Sequence, residues 1–166
     1  YSPNIIANSL ICRRTHGGDG DFIIFGDRHI TWEQAGTRIL KIAQALIKLG
    51  VEKDDKVLFM FHNTPDFIEV NMGIQIAGAV PVPMNYRYVA SEAEFQGNHS
   101  DAKVLIYDSI WSEAVEAAAP KIPNVKHFVR RGDGEMENVI DFEEFVASGV
   151  DEDPQVAQEW EDVAVM

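Results

Sequence analysis

Apolar residues recur along this chain with two different periods. Between Thr31 and Gly50 the apolar residues Ile39, Ala43, Leu46 and Ile47 share one helical face, while Arg38, Lys41 and Lys48 lie off it. Thr31 and Gln34 have capping-box spacing and Gly50 stands where the helix should stop, so the pattern predicts a helix between them. Before it, "FIIFGDRHITW" holds two short β-branched and aromatic runs around Gly26 and Asp27, which predicts a hairpin. After it, "DKVLFMF" is apolar without alternation, as a strand buried on both faces requires. "NTPDFIEVNMGIQIAG" then offers a polar cap, Pro65 at the first helical position and Gly78 just past the end. "AVPVPM" returns to an extended pattern, and Pro81 and Pro83, which lack amide donors, assign it to an edge or a strand end. A short helix over 91–99, a strand at "KVLIYD", a helix over 112–119, a strand at "KHFVRR" and a helix near "DFEEFVAS" complete the series.

Strands alternating with helices across short connections predict an α/β fold: an open, mostly parallel sheet with helices on both faces. Three regions are expected. Residues 1–30 form an N-terminal segment with the first hairpin strand, 31–148 the α/β subdomain, and 149–166 an acidic connector followed by the start of a strand. That connector, "GVDEDPQVAQEWED", reads as solvated, whereas Val163, Ala164, Val165 and Met166 look like the beginning of a buried strand. The chain is therefore expected to have been cut before something that follows them. There is no internal repeat and no low-complexity tract.

Composition narrows the partners. The 166 residues are 46% hydrophobic, enough for one full core. Fourteen Lys and Arg against 27 Asp and Glu give a net charge of −13, which repels phosphate backbones and anionic lipid. Nucleic acid and membrane surfaces are disfavoured as partners, while a nucleotide-sized ligand stays compatible with local basic residues. Cys12 is the only cysteine, so no intramolecular disulfide can form, which fits a reducing, cytoplasmic setting. "YSPNIIANSLICRR" has no basic region ahead of an apolar core, and no run approaches the roughly 18 apolar residues of a span, so neither signal peptide nor integral membrane segment is expected.

Chemistry-bearing motifs are sparse. "HGGDGD" at 16–21 precedes a strand instead of following one, so it reads as a flexible loop without helix-terminal amides to offer a phosphate. There is no Walker-type lysine loop, no G-x-S-x-G elbow and no Cys or His pair at metal-ligand spacing, so no metal site is expected in the chain. His62, in "FHNTP", sits at a predicted strand end, where it either packs at the start of a helix or acts as an acid or base. Asp54 with Asp55 and Glu143 with Glu144 are adjacent carboxylates that do not converge on one reacting atom, and solvated surface is expected of them. "MNYRYVASE", residues 84–92, places two aromatics and an arginine after a strand, then a serine that can cap the next helix. Arg87 there can pair with a phosphate while Tyr86 or Tyr88 stacks on a base; against this stands an arginine paired to a surface acid among tyrosines that pack a loop.

From Ile30 to Asp108 the chain resembles the N-terminal lobe of the AMP-forming acyl-CoA synthetases, within the adenylate-forming superfamily. "ITWEQ", "ALIKLGV", "DDKVLFMFHNTPDF", "GIQIAGAVPVPMNYRY" and "SEAEFQGNHSDAKVLI" match in order, although Asp54 stands where the family usually has glycine. The resemblance implies the N-terminal subdomain of an acyl-CoA-synthetase-like fold. It implies a ligase that uses ATP and Mg²⁺ to convert a fatty or aryl acid to an acyl-adenylate and then transfers it to CoA. In that family a stretch similar to "EDVAVM" leads into a Ser/Thr/Gly-rich phosphate loop, so no catalytic residue is expected in this chain, which alone should be inactive and should pack against the remainder of its polypeptide. The loop after "AGAVPVP" lies near the CoA mouth in such enzymes, which points to Asn85, Tyr86 and Arg87. An adenylate-forming relative that does not use CoA, or a stand-alone binding module without activity, stays open. A lobe of this kind should also expose apolar surface and form homodimers or dissolve poorly.

Overall fold

Strand β3 (Lys56–Met60) shows what an apolar run without alternation becomes. Val57 and Phe59 point into one core and Leu58 and Met60 into another, so both faces of the strand are buried. The computed structural model of the protein describes residues 3–159 and 161–166. Tyr1 and Ser2 of the expected N-terminal segment and Trp160 of the expected connector lie outside the described residues.

A five-stranded sheet carries the fold, in the order β4 (Val80–Pro83), β3, β5 (Val104–Asp108), β6 (His127–Arg131), β7 (Ile140–Asp141). Every neighbouring pair is parallel. The hairpin expected around Gly26 forms apart from this sheet, from β1 (Asp21–Phe25) and β2 (Arg28–Thr31). Helices α1 (Ile5–Gly17), α2 (Trp32–Lys48), α3 (Pro65–Ile76) and α6 (Phe142–Ser148) bury residues against one face. Helices α4 (Ala90–His99) and α5 (Ser112–Ala118) cover the other.

Local chemistry sets most of these boundaries. The Gln34 amide donates to Thr31 Oγ1 at 3.2 Å and the Thr31 amide to Gln34 Oε1 at 3.0 Å, so the capping box that opens α2 is formed. Gly50 ends it at a φ of +86°. The αL position before β3 is filled by Asp54 at a φ of +68°, one of the few non-glycine residues that tolerate it. Ser91 does not cap α4: the helix begins at Ala90, and Glu92 Oε2 instead accepts from the Val89 amide at 2.9 Å.

Two elements exceed the expectations from sequence. Helix α1 is started by Asn4, whose Oδ1 accepts from the Ala7 amide at 3.0 Å while Nδ2 donates to the Gln75 carbonyl at 3.2 Å. It buries Ala7 and Leu10, too few apolar positions to leave a clear period in the sequence. Strand β7 has two residues and shows no period at all.

Residues 152–159 form no helix or strand, and half of them are exposed while the others are half-buried. They are nevertheless fastened to the helices. Arg14 and Thr37 bond the Asp151 carboxylate, Gln44 donates to the Glu152 carbonyl, and Gln158 donates to the Gln75 carbonyl at 2.8 Å. Val163, Val165 and Met166 are exposed and belong to no strand, yet the Met166 amide donates to the Pro81 carbonyl at 3.1 Å. That carbonyl lies on the outer edge of β4, where the prolines have no N–H to give.

Candidate functional site

The topology itself locates a crevice. From β3 the chain turns into α3 on one face of the sheet, and from β5 it turns into α5 on the other. β3 and β5 are neighbours, so the loops beyond their carboxyl ends diverge and leave a gap between them, which is where ligands bind in open α/β sheets. His62 follows β3 and Trp111 follows β5, and their rings meet across the gap with centroids 4.7 Å apart. Tyr86, from the loop after β4, joins them at 5.3 Å from His62.

Arg87 extends from the same loop. Its guanidinium lies 5.5 Å from the centre of the Tyr86 ring, and none of the ion pairs among the described residues includes it. The arginine paired to a surface acid that the sequence left open is thus not what the described residues show. The loop is a tight turn: the Tyr88 amide donates to the Asn85 carbonyl at 3.0 Å, and the Arg87 amide to Asn85 Oδ1 at 3.0 Å. Asn85, Tyr86 and Arg87 are exposed, while Tyr88 is half-buried against the second core and packs the loop. A cavity of about 430 Å³, lined mainly by Tyr88, Val89, Ile110, Trp111 and Ala114, opens beside the turn.

A second cleft, about 420 Å³, lies among the hairpin, α2, α3 and α6, and its chemistry is structural. Arg38 Nε donates to Glu69 Oε2 at 2.8 Å, and its terminal nitrogens clasp the Glu143 carboxylate at 2.9 and 3.0 Å. Glu69 is 2% exposed, and burial pushes its pKa up against the opposing pull of Arg38. Glu143 is solvated as expected, but the Arg38 bond holds its carboxyl below the ordinary range. Arg131 bridges Asp108 at 3.0 Å and Asp66 at 3.4 Å. The other expected surface pair splits: Asp54 makes the backbone turn, while Asp55 accepts from Lys103 and from the Glu52 amide, each at 2.7 Å.

Sequence reasoning missed Arg38 and Glu69 as partners; the available signal was an acid, Glu69, set among apolar residues beyond the first turn of the helix "PDFIEVNMGIQI". It also missed that Trp111 closes the crevice. Cys12 Sγ lies 3.9 Å from His16 Nδ1, a ring nitrogen that also meets the Cys12 carbonyl at 2.9 Å. Among the described residues no group of three His, Cys, Asp or Glu is placed to hold a metal ion, and no helix is long and apolar enough to cross a membrane.

Comparison with known proteins agrees with this architecture. Residues 13–166 match the family described as AMP-binding enzyme. A medium/long-chain-fatty-acid–CoA/3-oxocholest-4-en-26-oate–CoA ligase of Mycobacterium tuberculosis is 30% identical over 132 residues, 76% of this chain and 24% of that enzyme. The chain thus spans about a quarter of the length of that relative. The anthranilate CoA ligase AuaEII, solved with anthranoyl-AMP, superposes with a TM-score of 0.87 at 21% identity, covering 99% of this chain and 31% of that one. The N-terminal domain of FACL13 from Mycobacterium tuberculosis gives 0.84 at 24% identity, covering 96% of this chain and 39% of that one. The chain belongs to the AMP-binding enzyme family, and its fold is that of the N-terminal domain of acyl-CoA ligases.

Proposed function

We propose that the protein of which this chain is part is an ATP-dependent acid–CoA ligase. A fatty or aryl carboxylate attacks the α-phosphorus of ATP, with Mg²⁺ support, and releases pyrophosphate; the CoA thiol then displaces AMP from the acyl-adenylate. Asn85, Tyr86 and Arg87 form part of the mouth that receives CoA.

One observation carries the role given to this chain: Arg87 stands at the carboxyl end of β4, with its guanidinium 5.5 Å from the Tyr86 ring centre and outside every ion pair among the described residues. A guanidinium and an open ring side by side suit the phosphate and base of a nucleotide such as CoA. ATP and Mg²⁺ fit these residues poorly, since the chain has no Walker-type lysine loop and, among the described residues, no group of three His, Cys, Asp or Glu is placed for a metal. Their binding is assigned to the remainder of the polypeptide, and the chain alone is inactive. Val89, Phe95 and Ile110 expose apolar side chains near the turn, which supports burial against that remainder or in a homodimer. The ligands are small molecules, and the net charge of −13 disfavours nucleic acid. A cytoplasmic enzyme fits the single cysteine and the absence, among the described residues, of a helix able to cross a membrane.

The test supplies the full-length protein with fatty and aromatic acids, MgATP and CoA. Acid-dependent pyrophosphate exchange with formation of a CoA thioester is expected, and no pyrophosphate from residues 1–166 alone. Exchange without thioester would mean another acceptor, and no exchange a binding module.

A further inference from the structure

The turn that carries Arg87 has few restraints of its own. Asn85 closes it from within, but Asn85, Tyr86 and Arg87 are all exposed, and a short turn held by local bonds alone frays readily. Among the described residues one bond reaches it from elsewhere: the indole Nε1–H of Trp111 donates to the Tyr86 carbonyl at 2.7 Å. Trp111 is 9% exposed and lies in the second core, so the donor is anchored, whereas Tyr86 is 47% exposed. The Trp111 ring is also braced edge-on by His62. Three strand ends are thereby joined: β5 through Trp111, β4 through Tyr86 and β3 through His62.

We infer that Trp111 is a positioning residue, whose indole N–H pins the Asn85–Tyr88 turn so that Arg87 is presented over Tyr86 toward the crevice. A tryptophan suits this because its indole has one donor and no acceptor, and it reaches the carbonyl while its six-membered ring stays in the core. Removing the donor leaves the Tyr86 carbonyl to water and frees the middle of the turn. Arg87 then samples many orientations, and a ligand must select the productive one. The consequence for CoA rests on the function proposed above, but the pinning itself does not.

Two measurements separate these layers. In the unaltered protein the Trp111 indole proton should exchange at least about tenfold more slowly than that of free indole, as expected of a bond in a buried donor. An unprotected indole proton would overturn the pin without any variant. In Trp111→Phe, which keeps a ring and removes the donor, the amides of Arg87 and Tyr88 should exchange about five- to tenfold faster, the factor expected for one lost hydrogen bond, while those of β3 and β5 hold their rates. Unchanged exchange at the turn would overturn the inference. In the full-length ligase the same variant should raise KM for CoA by a similar factor, with a smaller effect on kcat at saturating CoA. Faster exchange at the turn with an unaltered KM for CoA would uphold the pin and overturn the CoA role given to Arg87.

Discussion

Arg38 pairs with Glu69, Glu143 and, at 3.6 Å, Asp66, and one of these carboxylates cannot reach water: Glu69 is 2% exposed, against 64% for the side chain of Glu143. Removing the cation leaves a buried carboxylate unpaired, so Arg38→Ala should destabilise the fold by about 3–5 kcal/mol. Glu69→Gln removes the buried charge with its partner still solvated through Glu143, and should be milder. Chemical denaturation of both variants checks this, and equal small losses would mean that the pair contributes little. Asp54 marks another case, a residue expected only to be solvated that also makes the backbone turn before β3. Its place before β3 is one where the family prefers glycine, and the backbone there is left-handed at +68°. Asp54→Gly should therefore stabilise the chain by up to about 1 kcal/mol, read as a shift in the same denaturation midpoint. Tyr86 and Arg87 could be singled out from sequence because they follow a strand, and Asn85 because the family resemblance places this loop near the CoA mouth. Trp111 could not, because its bond to Tyr86 spans 25 residues and depends on the order of the strands in the sheet.

The elements that sequence found are those whose signal is local. The Thr31–Gln34 box, Pro65 at the start of α3, and the glycines at 50 and 78 each act within a few residues of the boundary they set. Pro81 and Pro83 pointed to an edge or a strand end, and β4 is at the edge. Helix α1 escaped notice because Asn4 and two small contact points hold it, instead of a wide apolar stripe. The segment after α6 read as solvated from its acidity, but its acids have distant partners. Arg14 clasps both Asp151 oxygens, at 2.8 and 3.0 Å, and that bond is the main reason the Asp151 carboxyl titrates below its ordinary range. A depressed folded pKa gives stability that is present above the unfolded value, about 3.9 for Asp, and lost as pH falls through the lower folded value. Limited proteolysis within 149–159 should therefore be slow at pH 5 and 7 and accelerate below about pH 4, where unfolded Asp is protonated. Asp151→Asn should be cleaved faster already at pH 7. Cleavage at one rate across this range would show that the contact does not fasten the segment.

Across the whole molecule, the parallel sheet decides where chemistry can occur, and the order β4, β3, β5 places three loops around a single crevice. The alternation of strands and helices made the sheet legible, yet the strand order and hence the crevice were not, because neighbours in a parallel sheet are chosen by packing over long separations. The −13 charge makes Arg87, which enters no ion pair among the described residues, more informative, since an anionic ligand needs a local cation against an unfavourable background. The central claim is that this cation serves CoA and takes no part in forming the adenylate. It is tested most directly by measuring both half-reactions of the full-length ligase with Arg87→Ala. Acid-dependent ATP–pyrophosphate exchange should then stay nearly intact while KM for CoA rises about ten- to a hundredfold, as for loss of a hydrogen bond to a charged group. An equal loss in both half-reactions, or no loss in either, would contradict it.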